Sequence, residues 1–274
     1  IVLEVLGLMD DGYHSLNMLM ERLDLFDEIV IEQKGSGVSL DLDGNPIPGR
    51  VLDNLVYRAA KLFLDETGTD AGVRISMTKK IPVAAGMGGG SSDAAAVLRG
   101  MDMLFETDLE PAILAHMGAK LGSDVPFFCY ERPAWIRGRG EVVDPVTLPN
   151  FKVFILNPGF PFPTPPVYRE WDKLNENHKL TVFHVDASQR PSLSNVQDII
   201  GLLKNDLEVA ALSLQPRIGE IKNRLSVAGT RGVLMSGSGP TVFCIMEDPG
   251  AAEKIEVLDG ERCWVCANLP PHYE

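Results

Sequence analysis

The chain is poor in cysteine and in basic residues, and it lacks any long apolar run. Its 274 residues include four cysteines, at 129, 244, 263 and 266, too few and too unevenly spaced to staple a chain of this length. A reducing compartment is expected. Lys and Arg number 25 against 38 Asp and Glu, a formal charge of -13, which repels phosphate backbones and anionic lipid except at a locally basic site. Neither nucleic acid nor a membrane is an expected partner. No stretch approaches the roughly 18 uninterrupted apolar residues of a membrane span, and no charged-then-apolar leader opens the sequence, so a cytoplasmic protein is expected. Internal repeats and low-complexity tracts are also missing.

What is present is globular. Hydrophobic residues make up 45% and charged residues 23%, enough to build a core, and the length suits two ordinary domains or one large one. The β-prone run Ile1 to Gly7 opens as if inside a strand, so further residues are expected upstream. Asp10-Asp11-Gly12 is turn chemistry, and Ile29-Val30-Ile31 reads as a second strand closed by residues 34–37. Asp53 or Asn54 can cap a helix carrying Leu55, Ala59, Leu62 and Phe63, with Gly68 beyond its end. Alternation of Val73, Ile75 and Met77 with polar residues predicts a half-buried strand. Ala94, Val97, Leu98, Met101 and Phe105 mark one face of a further helix, and Pro111 opens another. Proline and glycine crowd residues 157–166, which read as an inter-domain connection. Two helices over 196–226 and strands near 232–235, 241–246 and 263–267 complete the pattern. On the last strand Cys263 and Cys266, three residues apart, point to opposite faces, which argues against a metal or redox pair.

The segment Lys79 to Asp93, KKIPVAAGMGGGSSD, lies between a predicted strand and a predicted helix. Its four glycines in five positions, Gly86, Gly88, Gly89 and Gly90, let several backbone N–H groups point at one anion, and the following helix adds its unpaired amides and positive dipole end. Ser91 and Ser92 can cap the helix, bind phosphate or reach a magnesium ion. A glycine-rich turn without a ligand is the plain alternative. The Walker pattern fails, since no lysine follows Gly90. The dinucleotide fingerprint is a near miss, with Ser91 at its third glycine.

This segment resembles the PxxxGLGSSAA loop of the GHMP kinases, with Pro82, Gly86, Gly88, Ser91, Ser92 and Ala94 to Ala96 where that pattern wants them. The extra glycines of GMGGGSSDAA look like the branch that acts on 4-diphosphocytidyl-2-C-methyl-D-erythritol in the non-mevalonate route to isoprenoids. Other stretches agree in the family's order: the opening strand and DGYH turn, Asp53-Asn54-Leu55, LGSDVPFF, GRGEVVDPV, PTPPVY and SGSGPTVF. The resemblance implies an α+β, two-domain GHMP kinase fold. An N-terminal mixed-sheet domain like ribosomal protein S5 domain 2 would span residues 1–155, and a ferredoxin-like C-terminal domain residues 156–274, with the cleft between them.

The resemblance also implies roles. Asp124, which lies just after a predicted helix and before an apolar run that reads as a strand, would be the general base that takes the proton from the substrate hydroxyl; a turn cap or structural ion pair is the alternative. The family's partner lysine would precede Ile1. Asn54, Lys79, Gly86, Gly88, Gly89, Gly90, Ser91 and Ser92 would hold ATP, with Ser91 on Mg²⁺; a solvated strand-end charge is the alternative for Lys79. Tyr13 would stack on cytosine and His14 hydrogen-bond it, with Tyr168 as the opposing aromatic, although alone a Tyr-His pair in a turn is more often surface decoration. Thr164, Gly237, Ser238 and Gly239 would close the substrate's diphosphate and methylerythritol side, and residues 205–208 read as structural. The cleft is expected to be locally positive, from loop dipoles and cations such as Lys79. The implied activity is ATP-dependent phosphorylation of the 2-hydroxyl of this small-molecule substrate, by a monomer or homodimer. Three rivals stay open: a GHMP kinase for a mevalonate-type or homoserine-type substrate, a dinucleotide-dependent oxidoreductase, and a non-catalytic GHMP-fold binding protein.

Overall fold

The computed structural model describes residues 1–176, 191, 193–247 and 249–269. The alternating segment at 73 becomes strand β5 (Val73–Lys79), whose odd-numbered residues are buried. It is the centre of a three-stranded sheet, antiparallel to β3 (Glu28–Gln33) and parallel to β4 (Val38–Gly44). A five-stranded sheet runs in the order β7 (Val142–Pro145), β6 (Ala134–Gly138), β2 (His14–Met20), β1 (Val2–Leu8), β9 (Lys204–Asn205). Here β9 lies parallel to β1 while the other neighbours are antiparallel, so both of these sheets are mixed.

The third sheet is antiparallel throughout, in the order β10 (Arg231–Met235), β11 (Val242–Met246), β8 (Lys152–Asn157), β12 (Arg262–Ala267). Counted along the chain from β8, the strands are arranged 2-3-1-4, which is the ferredoxin-like order. Cys263 is exposed and Cys266 buried, as their spacing on β12 requires. Among the described residues none of the sheets is the doubly wound parallel kind on which a dinucleotide fingerprint works. No helix among the described residues is long and apolar enough to cross a membrane.

Helix α1 (Leu55–Thr67) is capped by Asn54, whose side chain accepts from the Val56 N–H, while Asp53 pairs with Arg50 instead. Gly68, at φ 65°, ends it in the left-handed conformation that glycine takes without strain. Helix α2 (Gly89–Phe105) buries Ala94, Ala95, Val97, Leu98 and Met101. With α1, β5 and α3 (Pro111–Ala119) it forms one core, in which Phe63, Ile75, Leu98 and Met101 are inaccessible to solvent. Each such side chain stabilises the fold by about 1.5–3 kcal/mol through burial.

The structure differs from the sequence expectation in four places. The turn at Asp10 leads straight into β2, so the strand at residues 29–31 is the third, not the second. The apolar run after Asp124 is a short helix, α4 (Val125–Cys129), rather than a strand. Pro126 in its first turn supplies a φ already suited to a helix, and a five-residue apolar run carries no periodicity to separate the two. The proline-rich connection ends at Thr164, where α5 (Thr164–Glu176) takes Pro165 and Pro166 into its first turn, the one place in a helix where a missing N–H costs nothing. Residues 196–226 form three helices, α6 (Val196–Leu202), α7 (Glu208–Leu214) and α8 (Arg217–Val227), with β9 between the first two.

Candidate active site

The glycine-rich segment closes β5 and opens α2, with Gly88, at φ 67°, as the residue preceding the helix. Ala84 and Gly86 also have positive φ, 53° and 70°. A non-glycine residue held there is strain that the surroundings must enforce, and the Ala84 carbonyl is pinned by the Phe162 N–H. The first-turn amides of a 17-residue helix have no acceptor within the helix and carry its positive dipole end. They border a cleft of about 660 Å³ that also reaches Asn54, Asp124, Thr164 and Tyr168. Ser91 borders this cleft, whereas the Ser92 hydroxyl donates back to the Gly89 carbonyl, 2.9 Å away.

A second glycine turn sits directly on the first. The Ser236 hydroxyl donates to the Gly86 carbonyl at 2.8 Å, and a Cβ on Gly86 would fall 2.3 Å from the Ser236 carbonyl oxygen. Ser238 shares a 2.7 Å hydrogen bond with Thr164 at the start of α5. From behind, the Asn205 side chain donates to the carbonyls of Met235 and Gly237, and Glu208 accepts from the Met235 N–H. Residues 205–208 are thus structural in a specific sense, as the buttress of Met235 and Gly237.

Asp124 immediately precedes α4 and makes no side-chain cap. Further along the same short helix, the Phe128 ring lies so close to Gly88 that a Cβ there would sit 2.9 Å from it. One element therefore sets the spacing between the carboxylate and the loop. Asp124 is partly reachable from the cleft but surrounded by protein, and this burial raises its carboxyl pKa above the ordinary value. The neighbouring Tyr168 hydroxyl is raised as well, first by burial and then by the charge of Asp124.

The aromatic residues meet around α5. The His14 ring lies 4.8 Å from that of Tyr168, tilted by 32°, and edge-on to Trp171 at 5.7 Å. Its Nε2–H donates to Asp172 Oδ1 at 2.7 Å. Of Tyr13, His14 and Tyr168, only Tyr168 borders the cleft; His14 lies behind it, and Tyr13, on the turn itself, is half exposed. His14 and Tyr168 are brought together, while Tyr13 stands outside them.

Lys79 is placed differently from a phosphate ligand. Its side chain is 3% exposed, and its ammonium is bonded to Asp27 and to Asp93, the latter at 2.6 Å. Asp27 also accepts from the N–H groups of Lys80 and Ile81, at 2.5 and 2.9 Å, and Asp93 belongs to α2. One buried lysine thus ties the two ends of the glycine loop together. The positive charge of Lys79 is taken up by Asp27, with Asp93 as a second partner, leaving the loop amides and the α2 dipole as the main attraction for an anion.

Asp27, Asp172 and Trp171 were not anticipated from the sequence, and for Asp27 no local pattern marks the contact with Lys79. Asp172 and Trp171 could have been found by projecting α5, since positions 168, 171 and 172 share a helix face. Among the described residues no group of three His, Cys, Asp or Glu side chains gathers to hold a metal ion.

Comparison with known proteins places this arrangement. Residues 54–132 match the family model for the GHMP kinases N terminal domain, and residues 185–257 that for the GHMP kinases C terminal domain. The chain is 38% identical over 260 residues to a 4-diphosphocytidyl-2-C-methyl-D-erythritol kinase of Syntrophus aciditrophicus, covering 94% of this chain and 91% of the relative. It is 41% identical over 272 residues to one from Syntrophotalea carbinolica, covering 96% and 94%. A crystal structure of 4-(cytidine 5'-diphospho)-2C-methyl-D-erythritol kinase is 36% identical, with a TM-score of 0.79 over 97% of this chain and 94% of that one. A crystal structure of L. major mevalonate kinase, 15% identical with a TM-score of 0.70 over 94% of this chain and 89% of that one, shares the fold.

Proposed function

The chain belongs to the 4-diphosphocytidyl-2-C-methyl-D-erythritol kinases of the GHMP family, ATP-dependent enzymes of the non-mevalonate isoprenoid route, and from that premise we propose how its own residues carry the phosphoryl transfer. The reading rests on one observation: α4 holds Asp124 beside the cleft while its Phe128 ring presses on Gly88 of the anion-binding loop. Amides of Gly88 to Ser91 cradle the triphosphate, with Asn54 toward the nucleoside. Mg²⁺, when carried in with the nucleotide, neutralises phosphate charge, and Ser91 is the side chain suited to touch it; a site with few protein ligands is usual for an ion that keeps its waters and phosphate oxygens. Lys79 acts on the nucleotide through the loop it clamps.

Asp124 takes the proton as the 2-hydroxyl of the substrate attacks the γ-phosphoryl group, and Thr164, Gly237, Ser238 and Gly239 position the substrate's phosphates and sugar alcohol. With the Nε2–H of His14 donated to Asp172, its Nδ1 is the ring atom left to accept from the exocyclic amine of cytosine, which uracil lacks. Tyr13 and Tyr168 supply the stacking surfaces. We divide the chain at residues 155/156 into the two lobes, a boundary that falls within β8, the strand whose partners β11 and β12 lie in the second lobe. A cytoplasmic location is inferred from the four unpaired cysteines.

Purified protein supplied with ATP is expected to release ADP with the cytidyl substrate and not with mevalonate or homoserine. Turnover of mevalonate alone would overturn the assignment. A pH dependence follows as well. Protonated Asp124 cannot accept a proton, and burial raises its pKa, so kcat is expected to fall with decreasing pH at values above the usual carboxylate range, near 4. An acid limb at or below pH 4 would show that the buried carboxylate is not the base.

A further inference from the structure

The turn between β6 and β7 has no role in the reaction as derived so far, yet it touches both parts of the site. Leu16 pairs with Gly138 in the sheet, so this turn lies beside the one that carries Tyr13. The Arg139 guanidinium carbon sits 3.8 Å from the centroid of the Tyr13 ring. Its Nη1 donates to Asp11 Oδ2 at 2.9 Å, and the other oxygen of Asp11 accepts from the Tyr13 N–H at 3.0 Å. Ring and backbone of Tyr13 are therefore held by one linked pair of charges.

The turn that delivers Arg139 is itself fixed. Glu141 accepts from the Arg139 N–H at 2.7 Å. Gly140, at φ 129°, lies so close to the Ser123 carbonyl that a Cβ would fall 1.9 Å from its oxygen, which only glycine allows. Ser123 is the residue before Asp124. The same three residues thus lean on the segment of the reacting carboxylate and reach over the aromatic ring.

We infer that Arg139 is a positioning residue for base recognition, holding the Tyr13 ring in the plane on which cytosine stacks. The inference rests on Tyr13 and His14 being the cytosine site. A ring 52% exposed on a turn is free to change rotamer, and ordering it at the moment of binding lowers affinity. A guanidinium stacked on one face removes that freedom beforehand and leaves the opposite face for the base. Lysine, a compact charge on a flexible stem, holds the ring less well.

The test compares wild type with Arg139→Ala and Arg139→Lys in two assays: steady-state kinetics with ATP and the cytidyl substrate, and calorimetric binding of cytidine, which carries no charge. Arg139→Ala is expected to raise the KM for the cytidyl substrate and the Kd of cytidine by a similar factor, about fivefold. Its kcat and its KM for ATP are expected to stay within about twofold, and Arg139→Lys to recover part of the loss. An unchanged or lowered KM overturns the inference, since the contact is then decoration or a cover that the base displaces. A rise in KM with cytidine binding unaltered overturns it too, because Arg139 would then act on the substrate's phosphates. Absence of wild-type turnover would sink the reading of the reaction instead, while cytidine binding would still report on Arg139.

Discussion

Asp124→Asn is expected to lower kcat at least about a hundredfold, the low end of what a positioned general base contributes, with the KM for both substrates little altered. Asparagine keeps the volume, and Asp124 makes no cap to lose, so the fold has no reason to change. What disappears is the acceptor for the hydroxyl proton. The side chain is desolvated by surrounding protein, so water is poorly placed to substitute for it. Steady-state kinetics on the folded variant decide the matter: unchanged turnover removes Asp124 from the mechanism, and a raised KM with kcat intact makes it a binding group.

Lys79→Met is expected to cost roughly 3–5 kcal/mol of stability, because it leaves buried Asp27 without its cation and Asp93 without its partner. Asp93→Asn is expected to cost much less. Burial pushes the Asp93 carboxyl up to about 7 against the attraction of Lys79, so near neutral pH it already spends much of its time uncharged. The raised value also gives the sign of a pH effect. A carboxyl whose folded pKa exceeds its unfolded one favours the fold most when protonated, so this contribution is full below about pH 4 and is lost as the pH rises through 7. Asp93→Asn should remove that slope. Chemical denaturation of the two variants across this range is the measurement, and a Lys79→Met protein as stable as wild type would mean that the ammonium does not hold the loop ends together.

Much of the site was legible because its chemistry is local. The glycines from Gly86 to Gly90, the serines behind them and the helix they open lie within a dozen residues, where spacing and side-chain chemistry speak directly. Asn54 was readable as a cap for the same reason. What escaped notice depends on contacts between distant residues. Lys79 reads as an ATP ligand or, alternatively, a solvated charge at a strand end; only the fold shows Asp27 and Asp93 closing around it, one from 52 positions upstream. Arg139 is 128 residues from Asp11, and no periodicity connects them. The run after Asp124 failed differently, since five apolar residues are too few to display a period and a proline early in the run suits a helix as well as an edge strand. The fold class followed from motif resemblance, while the three-sheet division and the parallel pairing of β1 with β9 had to be seen.

That last pairing bears on how the molecule is made. The strand that completes the edge of the first sheet is Lys204–Asn205, and Asp206 also accepts from the Val5 N–H, a contact spanning 201 positions. During synthesis the amino-terminal sheet therefore stays open along β1 until more than two hundred residues have left the ribosome. An unfilled strand edge invites pairing with other chains. The interval in which this enzyme is most exposed to aggregation thus falls between translation of β1 and translation of β9, and a polypeptide arrested before residue 204 would retain that exposed edge for as long as it persists.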